Sequence, residues 1–303
     1  MAKAKFCLVV DTEADFWLQV PSPHFSRIEL FKWTANKLLR NVRFARNREG
    51  IVNIVKLLKE YKFPATFTIV GHLYLKACRG YPHFNERLPE AKWMKSLIRK
   101  SWSYWDPKSN FKQHPGLYLG DFIEKEMKES YFDLGLHAFS HEALTLESEE
   151  IVESCVKAAA KAANTIGIKP ISFGAPFNMI EDIKEPEKVY TALKKNGIKI
   201  TRFVGKEDGL KSNHNVAIKP QTKKFGLKIV HASHYFEGNS PPQLINKILR
   251  EIDNSVGKNV VYCLCTHDFT HKDTRRLGAI VKKVLQLEKN GKIKIVNMRQ
   301  LLE

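Results

Sequence analysis

Residues 131–144, YFDLGLHAFSHEAL, combine an apolar run with two closely spaced histidines. The run from Phe132 to Leu136 is typical of a short buried strand, and it delivers His137 to its carboxyl end. His141 comes four positions later, so the two imidazoles lie on one face if the chain turns helical there. Two neutral imidazoles that close together form half of a metal site and need a carboxylate to complete it. A chance pair on a solvated surface explains the same spacing, since the chain has 11 histidines.

The length and charge of the chain limit its fold and its partners. With 303 residues, of which 43% are hydrophobic, it can bury one large core, either as two small domains or as one α/β barrel. Its 50 basic and 32 acidic residues give a net charge of +18, which favours anionic partners such as nucleic acid, an anionic lipid surface or a phosphorylated substrate. A high lysine content is also a habit of thermophilic proteins, so charge alone does not choose among these.

The cysteines and the amino-terminal residues bear on the compartment. The five cysteines show no CxxC spacing, which indicates free, buried thiols in a reducing compartment and neither a disulfide framework nor a thiolate zinc site. The first residues, MAKAKFCLVVD, pass directly into a strand and lack the apolar core of a signal peptide. No apolar run approaches the length of a membrane span. We therefore expect a cytoplasmic protein that touches a membrane, if at all, from its surface.

Another apolar run, Phe6 to Val10, is typical of a strand buried on both faces in a parallel sheet. It ends in Asp11, Thr12 and Glu13. The carboxyl ends of parallel strands gather functional groups, because loops can vary there without disturbing the core. The two acids are therefore candidates for a functional site, although an ordinary polar loop gives the same pattern.

The rest of the chain alternates between apolar runs and amphipathic segments. Further strands are predicted at 65–70, 169–172, 198–204, 227–231, 259–265 and 292–296, and helices at 50–62, 148–167, 188–196, 244–256 and 277–287. About seven strand-and-helix units without a glycine-rich phosphate loop favour a closed or nearly closed (β/α) barrel over a dinucleotide-binding sheet. No repeat, low-complexity tract or linker interrupts the sequence, so residues 1–303 are predicted to form a single domain.

Two basic stretches stand out from this alternation. Residues 27–48 interleave apolar and basic side chains, which is typical either of a helix on an anionic membrane surface or phosphate, or of a core-packed helix with a solvated basic face. Residues 73–115 are rich in aromatic and basic residues and are predicted to be an inserted cap, because long insertions at strand ends usually shape a binding site. Both stretches are consistent with peripheral contact with an anionic membrane.

The predicted strand ends place acids and histidines at one end of the barrel. One carboxylate with His137 and His141 suits zinc or another divalent ion with open positions. A second carboxylate and His267, which follows the strand at 259–265, then supply the base and the acid that hydrolysis requires. His231 and His234 end another strand and are candidates for substrate contact. The remaining histidines carry no pattern: His24, His72, His83, His114, His214 and His271.

In their order, these motifs resemble those of the polysaccharide deacetylase family, the group with homology to nodulation-type chitooligosaccharide deacetylases. That family has an acidic motif on the first strand, a PATFF-like second strand, HxxxH, a loop with Arg-x-Pro and a late Leu-x-His. The corresponding stretches here span nearly the whole chain and are VVDTEAD (9–15), PATFTIV (64–70), GLHAFSHEAL (135–144), SFGAPFN (172–178) and YCLCTHDF (262–269).

The resemblance implies a distorted (β/α) barrel that uses a divalent metal, with zinc the first choice, to remove an N-acyl group from an amino sugar. Asp11 would be the general base and His267 the general acid, with Asp268 the evident acid to orient the latter. The implied metal-binding residues are Glu13, His137 and His141. A backbone N–H near the loop at 176–178 would help to bind the oxyanion. The expected substrate contacts are Pro176, Phe177, Asn178 and His234.

Three positions depart from the family pattern. Cys265 stands in the place of the leucine of the late Leu-x-His motif. Thr12 stands where many members have a second aspartate, so the metal-binding role passes to Glu13 by analogy. Gly174 stands in place of the motif arginine that contacts the catalytic carboxylate. The base then needs another cation, such as Arg202. A noncatalytic, sugar-binding relative of the family is therefore an alternative interpretation.

Within the family, the chain looks most like the lipid-linked 4-formamido-arabinose deformylases, whose substrate is a sugar on a polyprenyl phosphate. The shared features are the D-x-acid start, the segment Arg48-Glu49-Gly50, the tryptophan- and lysine-rich insertion after the second strand and a Val-Tyr pair before the late histidine. Binding of such an anionic, lipid-held substrate would explain both the net charge of +18 and the two basic stretches. Acetyl and formyl groups are both compatible with this resemblance. Binding to nucleic acid is not expected, because no recognised binding motif accompanies the charge.

Overall fold

The structure of the chain is a computed structural model, and the residues that it describes are 3–23, 25–39, 43–87, 106–180, 186–203, 218 and 220–303. Part of the predicted cap lies outside these residues, including Trp93, Trp102 and Trp105, and so do residues 40–42 of the first basic stretch. Every residue predicted to act in the functional site lies within the described ranges.

Seven parallel strands close into a barrel, which confirms the predicted (β/α) architecture. The described strands are β1 (Ala4–Thr12), β2 (Ala65–Ile69), β3 (Phe132–Leu136), β4 (Ser172–Gly174), β5 (Ile200–Phe203), β6 (Thr222–Lys224), β7 (Leu227–Tyr235), β8 (Val261–His267) and β9 (Ile293–Val296). Their order is β2-β3-β4-β5-β7-β8-β1-β9, and a further pairing between β1 and β2 closes the ring.

The barrel is distorted at β1, which has three parallel partners. Residues 5–11 of β1 pair with β8 along one edge, so β2 and β9 share the other edge. β9 pairs with residues 4–7 and β2 with residues 9–12. The carboxyl half of β1 therefore lies beside β2, and this pairing sets Asp11 next to Thr68.

Helices surround the strands, and the longer ones other than Arg27–Leu39 bury their apolar faces. The longer ones are Arg27–Leu39, Glu49–Glu60, Glu149–Asn164, Glu187–Lys195, Pro242–Ser255 and Arg275–Lys289, and a short helix, Gly120–Phe122, continues as a π-helical turn, Ile123–Met127. In Glu49–Glu60 the buried apolar side chains follow helical spacing: Ile51, Ile54, Val55 and Leu58. This helix begins so close to the loop after β8 that a Cβ on Gly50 would lie 2.0 Å from the carbonyl oxygen of Asp268. Glycine is therefore required at position 50 for this packing.

Strand boundaries differ from the predicted ones where the sequence pattern is weak. β4 begins at Ser172 and not at 169, since Pro170 has no N–H to donate to a neighbouring strand. β7 continues to Tyr235 and passes through a register shift between Ala232 and His234. β6, whose TKK residues are all exposed and show no apolar alternation, was not predicted; it pairs antiparallel with β7.

The basic stretch predicted at 27–48 forms helix Arg27–Leu39, and most of its large apolar side chains point away from the barrel. Trp33 is the buried residue of this helix, and its indole N–H donates to the carbonyl oxygen of Trp17 at 3.1 Å. On the opposite face, exposed by 69% to 79%, are Ile28, Phe31, Leu38 and Leu39. The alternative in which this apolar face packs on the core is therefore wrong. Among the described helices, none combines the length and apolar character that a membrane span needs.

Candidate active site

The ends of β1, β3 and β8 bring the predicted acids and histidines together at the carboxyl end of the barrel. His137 follows β3 directly, and its Nε2 atom lies 3.5 Å from Glu13 Oε1. Nε2 of His141 lies 3.2 Å from the same oxygen. His267, the last residue of β8, pairs in register with Asp11 of β1. The first-strand acids and the paired imidazoles thus meet, as the strand-end pattern predicts.

Glu13, His137 and His141, which we call the mouth cluster, fit a divalent metal ion. All three are buried, and their ligand atoms lie within 4.8 Å of one another. The Nδ1–H of His137 donates to the carbonyl oxygen of Gly174 at 2.8 Å, which leaves Nε2 as the electron-pair donor. Among the described residues, this Nε2 and the two ring nitrogens of His141 make no hydrogen bond of good geometry, and both Nε2 atoms face the Glu13 carboxylate. Burial of a polar atom without a good hydrogen bond is unfavourable, and binding of a metal ion by these nitrogens would offset that cost.

Residues 138–143 form a tight loop and not the helical turn that the HxxxH spacing suggested. Ala138 and His141 adopt positive φ angles of 57° and 59°, which a continuous right-handed helix excludes. The buried carboxylate of Glu142 organises the loop instead. It accepts the backbone N–H of Phe139 at 3.1 Å and that of Ser140 at 2.9 Å. The two histidines therefore converge because the loop curls around a carboxylate.

Asp11 is held in place by a hydroxyl group and a guanidinium group. Thr68 Oγ1 donates to Asp11 Oδ1 at 2.5 Å, and an N–H of Arg202 donates to Asp11 Oδ2 at 2.6 Å. Arg202 comes from β5 and is only 2% exposed. The cation that the sequence lacks at position 174 is therefore supplied from another strand. Position 174 itself has little room, since a Cβ there would lie 3.1 Å from the Thr68 side chain.

Opposing effects set the charge of the two acids. Burial opposes ionisation of Asp11, but the guanidinium of Arg202 and the neighbouring imidazoles outweigh it and lower the pKa of Asp11. Burial likewise opposes ionisation of Glu13, yet His141 and the other imidazoles hold the pKa of Glu13 well below its ordinary value. Both carboxylates are therefore charged near neutral pH, as a base and a metal ligand need to be.

His267 is oriented by Glu237, which no sequence motif indicated. The Nδ1–H of His267 donates to Glu237 Oε1 at 2.7 Å, and Nε2 lies 3.8 Å from Asp11 Oδ2 and 3.6 Å from Glu13 Oε1. Burial alone would lower the pKa of His267, but Glu237 and the acids of the mouth raise it to about 10. The expectation that Asp268 orients His267 is wrong, because the Asp268 carboxylate accepts the backbone N–H of Glu13 at 2.9 Å. A signal for Glu237 existed, since it comes two residues after the end of β7, and Glu13 comes one residue after the end of β1.

The loop after β4 lies next to the imidazole pair, as predicted. Pro176 is buried, and Phe177 is half-buried with a positive φ of 56°. The Phe177 ring packs edge-on against His141, with 4.5 Å between the ring centroids. An apolar ring in this position shields the imidazole pair from water on one side.

The other two predicted substrate residues have different positions. Asn178 Oδ1 accepts an N–H of Arg202 at 3.1 Å and the hydroxyl of Tyr235, so it lies at the site. His234 instead contacts Glu251 of the helix after β7, and its assignment to substrate is therefore wrong. The register shift in β7 is the physical reason, because it turns Tyr235, and not His234, toward the mouth of the barrel.

Comparisons with known proteins support the fold. No protein-family model and no curated protein match the chain. A solved structure from Mycobacterium smegmatis, described as a polysaccharide deacetylase, has a TM-score of 0.60 and 13% identity and covers 99% of this chain and 89% of that one. A GH57-type branching enzyme from the hyperthermophilic archaeon Pyrococcus horikoshii has a TM-score of 0.54 and 16% identity, covering 100% and 70%. At these identities the likeness establishes the barrel fold, and the chemistry has to be argued from the site.

Proposed function

We propose that this chain is a metal-dependent hydrolase of the polysaccharide deacetylase type, which removes an acetyl or formyl group from the nitrogen of an amino sugar. One observation carries the proposal: Glu13 Oε1 lies 3.5 Å and 3.2 Å from Nε2 of His137 and His141, beside two groups suited to proton transfer. Those groups are Asp11 and His267. The fold of the Mycobacterium smegmatis protein supports the same class.

Glu13, His137 and His141 would hold the divalent ion, with zinc the first choice for two imidazoles and one carboxylate. When bound, such an ion polarises the acyl carbonyl and makes a water molecule more acidic. The protein keeps the ligands oriented through the hydrogen bond from His137 to Gly174 and through the loop curled around Glu142. A backbone N–H near Phe177 is the proposed additional donor to the developing oxyanion.

Asp11 is the proposed general base. Its carboxylate takes a proton from the attacking water as the oxygen adds to the amide carbon. Thr68 and Arg202 each bind one of its oxygens, at 2.5 Å and 2.6 Å, so the carboxylate is fixed before the substrate arrives. Such pre-organisation avoids reorientation during the reaction.

His267 is the proposed general acid. It donates a proton to the amine nitrogen as the C–N bond breaks, and the products are a free amine and a carboxylic acid. Glu237 fixes the ring through Nδ1 and so directs Nε2 toward the mouth cluster. The same carboxylate stabilises the protonated ring.

The contact of Arg202 with Asp11 bears on the noncatalytic alternative. That alternative rested on Gly174, which deprives the catalytic carboxylate of the family's arginine. A buried guanidinium at 2.6 Å from Asp11 Oδ2 meets the same electrostatic need. We therefore favour an active enzyme over a sugar-binding relative.

The test is amine release from a panel of N-acetyl and N-formyl amino sugars by the zinc-loaded protein. We expect release that EDTA stops and added zinc restores, and the acyl group that is lost identifies the deacetylase or deformylase activity. Binding of the sugars without any amine release, from a protein that contains zinc at the mouth cluster, would favour the noncatalytic alternative.

The exposed face of helix Arg27–Leu39 favours a substrate that is carried on a lipid. Ile28, Phe31 and Leu38 lie within one face of the helix and point away from buried Trp33. Exposed Lys32 flanks them, and the whole chain carries a charge of +18. An apolar face bordered by bases is the pattern of a helix that lies in the surface of an anionic membrane. We propose an amino sugar on a polyprenyl phosphate as the natural substrate.

Flotation with vesicles tests this finer proposal. We expect binding to vesicles that contain an anionic lipid and little binding to neutral ones, because the helix combines apolar and basic contacts. Leu38→Glu should weaken this binding about tenfold and leave hydrolysis of a water-soluble N-acyl sugar unchanged. Gln286→Glu, at an exposed position on helix Arg275–Lys289, changes the net charge by the same one unit and is the matched control. Equal flotation of wild type and Leu38→Glu would contradict the proposal.

A further inference from the structure

The segment after β2 contains another group of ligand side chains, which we call the rear cluster: His72, Cys78, His83 and Asp106. Their ligand atoms lie within 4.8 Å of one another. Cys78 Sγ is 3.7 Å from Nε2 of His72 and 3.3 Å from Oδ1 of Asp106. Nε2 of His83 is 3.0 Å from Oδ2 of Asp106. Ligands of a tetrahedral zinc ion lie about 3.3–3.8 Å apart, so small side-chain movements would close this set on one ion.

Both histidines of the rear cluster are oriented as metal ligands are. Nδ1–H of His72 donates to the carbonyl oxygen of Leu117 at 2.9 Å. Nδ1 of His83 lies 2.9 Å from the carboxylate of Glu86. Each ring therefore directs Nε2 into the cluster. Metal-binding histidines almost always donate their other ring N–H to a carbonyl or carboxylate oxygen in this way.

We propose that the rear cluster binds a second zinc ion, with a structural role. Two imidazole nitrogens, one sulfur and one carboxylate oxygen complete a tetrahedral set and leave no position for a substrate. The imidazole and carboxylate side chains are at most 3% exposed, which suits a closed site. Zinc binding displaces the thiol proton of Cys78 to the solvent, since the thiolate is the ligand.

The rear cluster lies directly behind the loop that carries His141. Backbone N–H groups of Gly71 and His72 donate to the carbonyl oxygens of Ala138 and Phe139, each at 2.8 Å. The ring of His83 packs against that of Phe139 with 5.1 Å between the centroids. An ion that fixes both histidine rings would therefore stiffen the loop that shapes the mouth cluster.

The zinc content of matched variants tests the proposal. We expect about two zinc ions per chain in the wild-type protein, about one in His83→Gln and about one in His141→Gln. His114→Gln, which alters an exposed histidine of the same part of the chain, is the control and should keep both ions. An unchanged zinc content in His83→Gln would overturn the rear site, whereas an unchanged content in His141→Gln would overturn the mouth site. The zinc measurements therefore test the mouth site and the rear site independently of each other.

Cobalt substitution gives an independent readout, because it reports on the thiolate ligand itself. Sulfur-to-cobalt charge transfer in the near ultraviolet needs a thiolate ligand, which the mouth cluster does not have. We expect this absorption in the cobalt-loaded wild-type protein and in His141→Gln, and its loss in Cys78→Ser. Wild-type protein that binds cobalt without this absorption, or Cys78→Ser protein that keeps it, would show that the rear cluster is a hydrogen-bonded network of side chains and not a metal site.

Discussion

The mouth cluster and the rear cluster each contain two imidazoles and a carboxylate, but the rear cluster adds a thiol, and the two clusters differ in their neighbours. The mouth cluster offers three ligands and has an ionised carboxylate and an imidazole at its edge. The rear cluster offers four ligands, and the neighbours of its histidines are a backbone carbonyl and a carboxylate that hold the rings. The first arrangement leaves room for water and substrate, and the second is closed.

The neighbours of each cluster, together with its ligand set, lead us to expect catalysis at the mouth cluster and structural support at the rear cluster. At the mouth, Arg202 and Glu237 act on Asp11 and His267, which are not ligands. In the rear cluster the corresponding contacts act on the ligands themselves. Changes to these four residues near the mouth should therefore alter turnover at constant zinc content, and changes in the rear cluster should alter zinc content and stability first.

Asp11→Asn is expected to have the largest effect on turnover. An amide cannot accept the proton of the attacking water, so kcat should fall about a thousandfold. Zinc content at both clusters should stay unchanged, because Asp11 belongs to neither. Amine release and metal analysis on the same preparation measure this, with Asp273→Asn on the surface as the control. Full activity of Asp11→Asn would mean that another group is the base.

Arg202→Met is expected to have the second-largest effect on turnover, because it leaves the buried carboxylate of Asp11 without its cation. Removing one partner of a buried ion pair destabilises a protein by about 3–5 kcal/mol. We expect the free energy of unfolding, measured in urea, to fall by that amount and kcat to fall about a hundredfold. Arg202→Lys keeps the positive charge and should lose less stability and less activity. If Arg202→Met were as stable as the wild type, the 2.6 Å contact between Arg202 and Asp11 would contribute little to stability.

Glu237→Gln should have a moderate effect, because the amide still contacts His267 but no longer stabilises its protonated form. We expect kcat to fall about tenfold, less than the fall of about a hundredfold for His267→Gln, which removes the acid itself. Steady-state amine release measures both variants. If the two were equal in effect, Glu237 would be as essential as the acid, and if Glu237→Gln were silent, the ring would need no orienting carboxylate.

Cys78→Ser should reduce turnover less than any of the changes at the mouth. We expect it to lower zinc content by about one ion per chain and the free energy of unfolding by about 2 kcal/mol, through loss of a thiolate ligand. Thermal unfolding with and without added zinc measures the second effect, and zinc should raise the midpoint less in the variant than in the wild type. A loss of turnover as large as that of Asp11→Asn, with normal stability, would break the distinction between the two clusters.

Much of the fold follows from local pattern. The apolar runs at 6–10, 65–70 and 132–136 predicted strands at nearly the observed positions, because a strand buried on both faces needs continuous apolar residues. The boundaries of β4 and β7 were missed where a proline and a register shift override the pattern. β6 was missed because exposed residues carry no burial signal.

The candidate site could be predicted only in part. Acids and histidines at strand ends were found because parallel strands end on one side of the barrel, whatever their order. The helical explanation of the histidine pair was wrong, since a single carboxylate, Glu142, shapes the loop. The assignment of His234 failed for a related reason: one extra residue in β7 reverses which side chains face the mouth.

The sequence by itself determined the alternation of strands and helices, the barrel class and the residues Asp11, Glu13, His137, His141 and His267 at its mouth. Those features depend on periodicity and on position relative to a strand end, and both are local. Arg202 was named from the sequence as a candidate cation for Asp11, and the tertiary structure brings the two together. Only the tertiary structure decided that Glu237 holds His267 and that Cys78 meets two histidines and an aspartate. These contacts join residues that are distant in the chain and share no spacing, so closure of the barrel and packing of the loops bring them together.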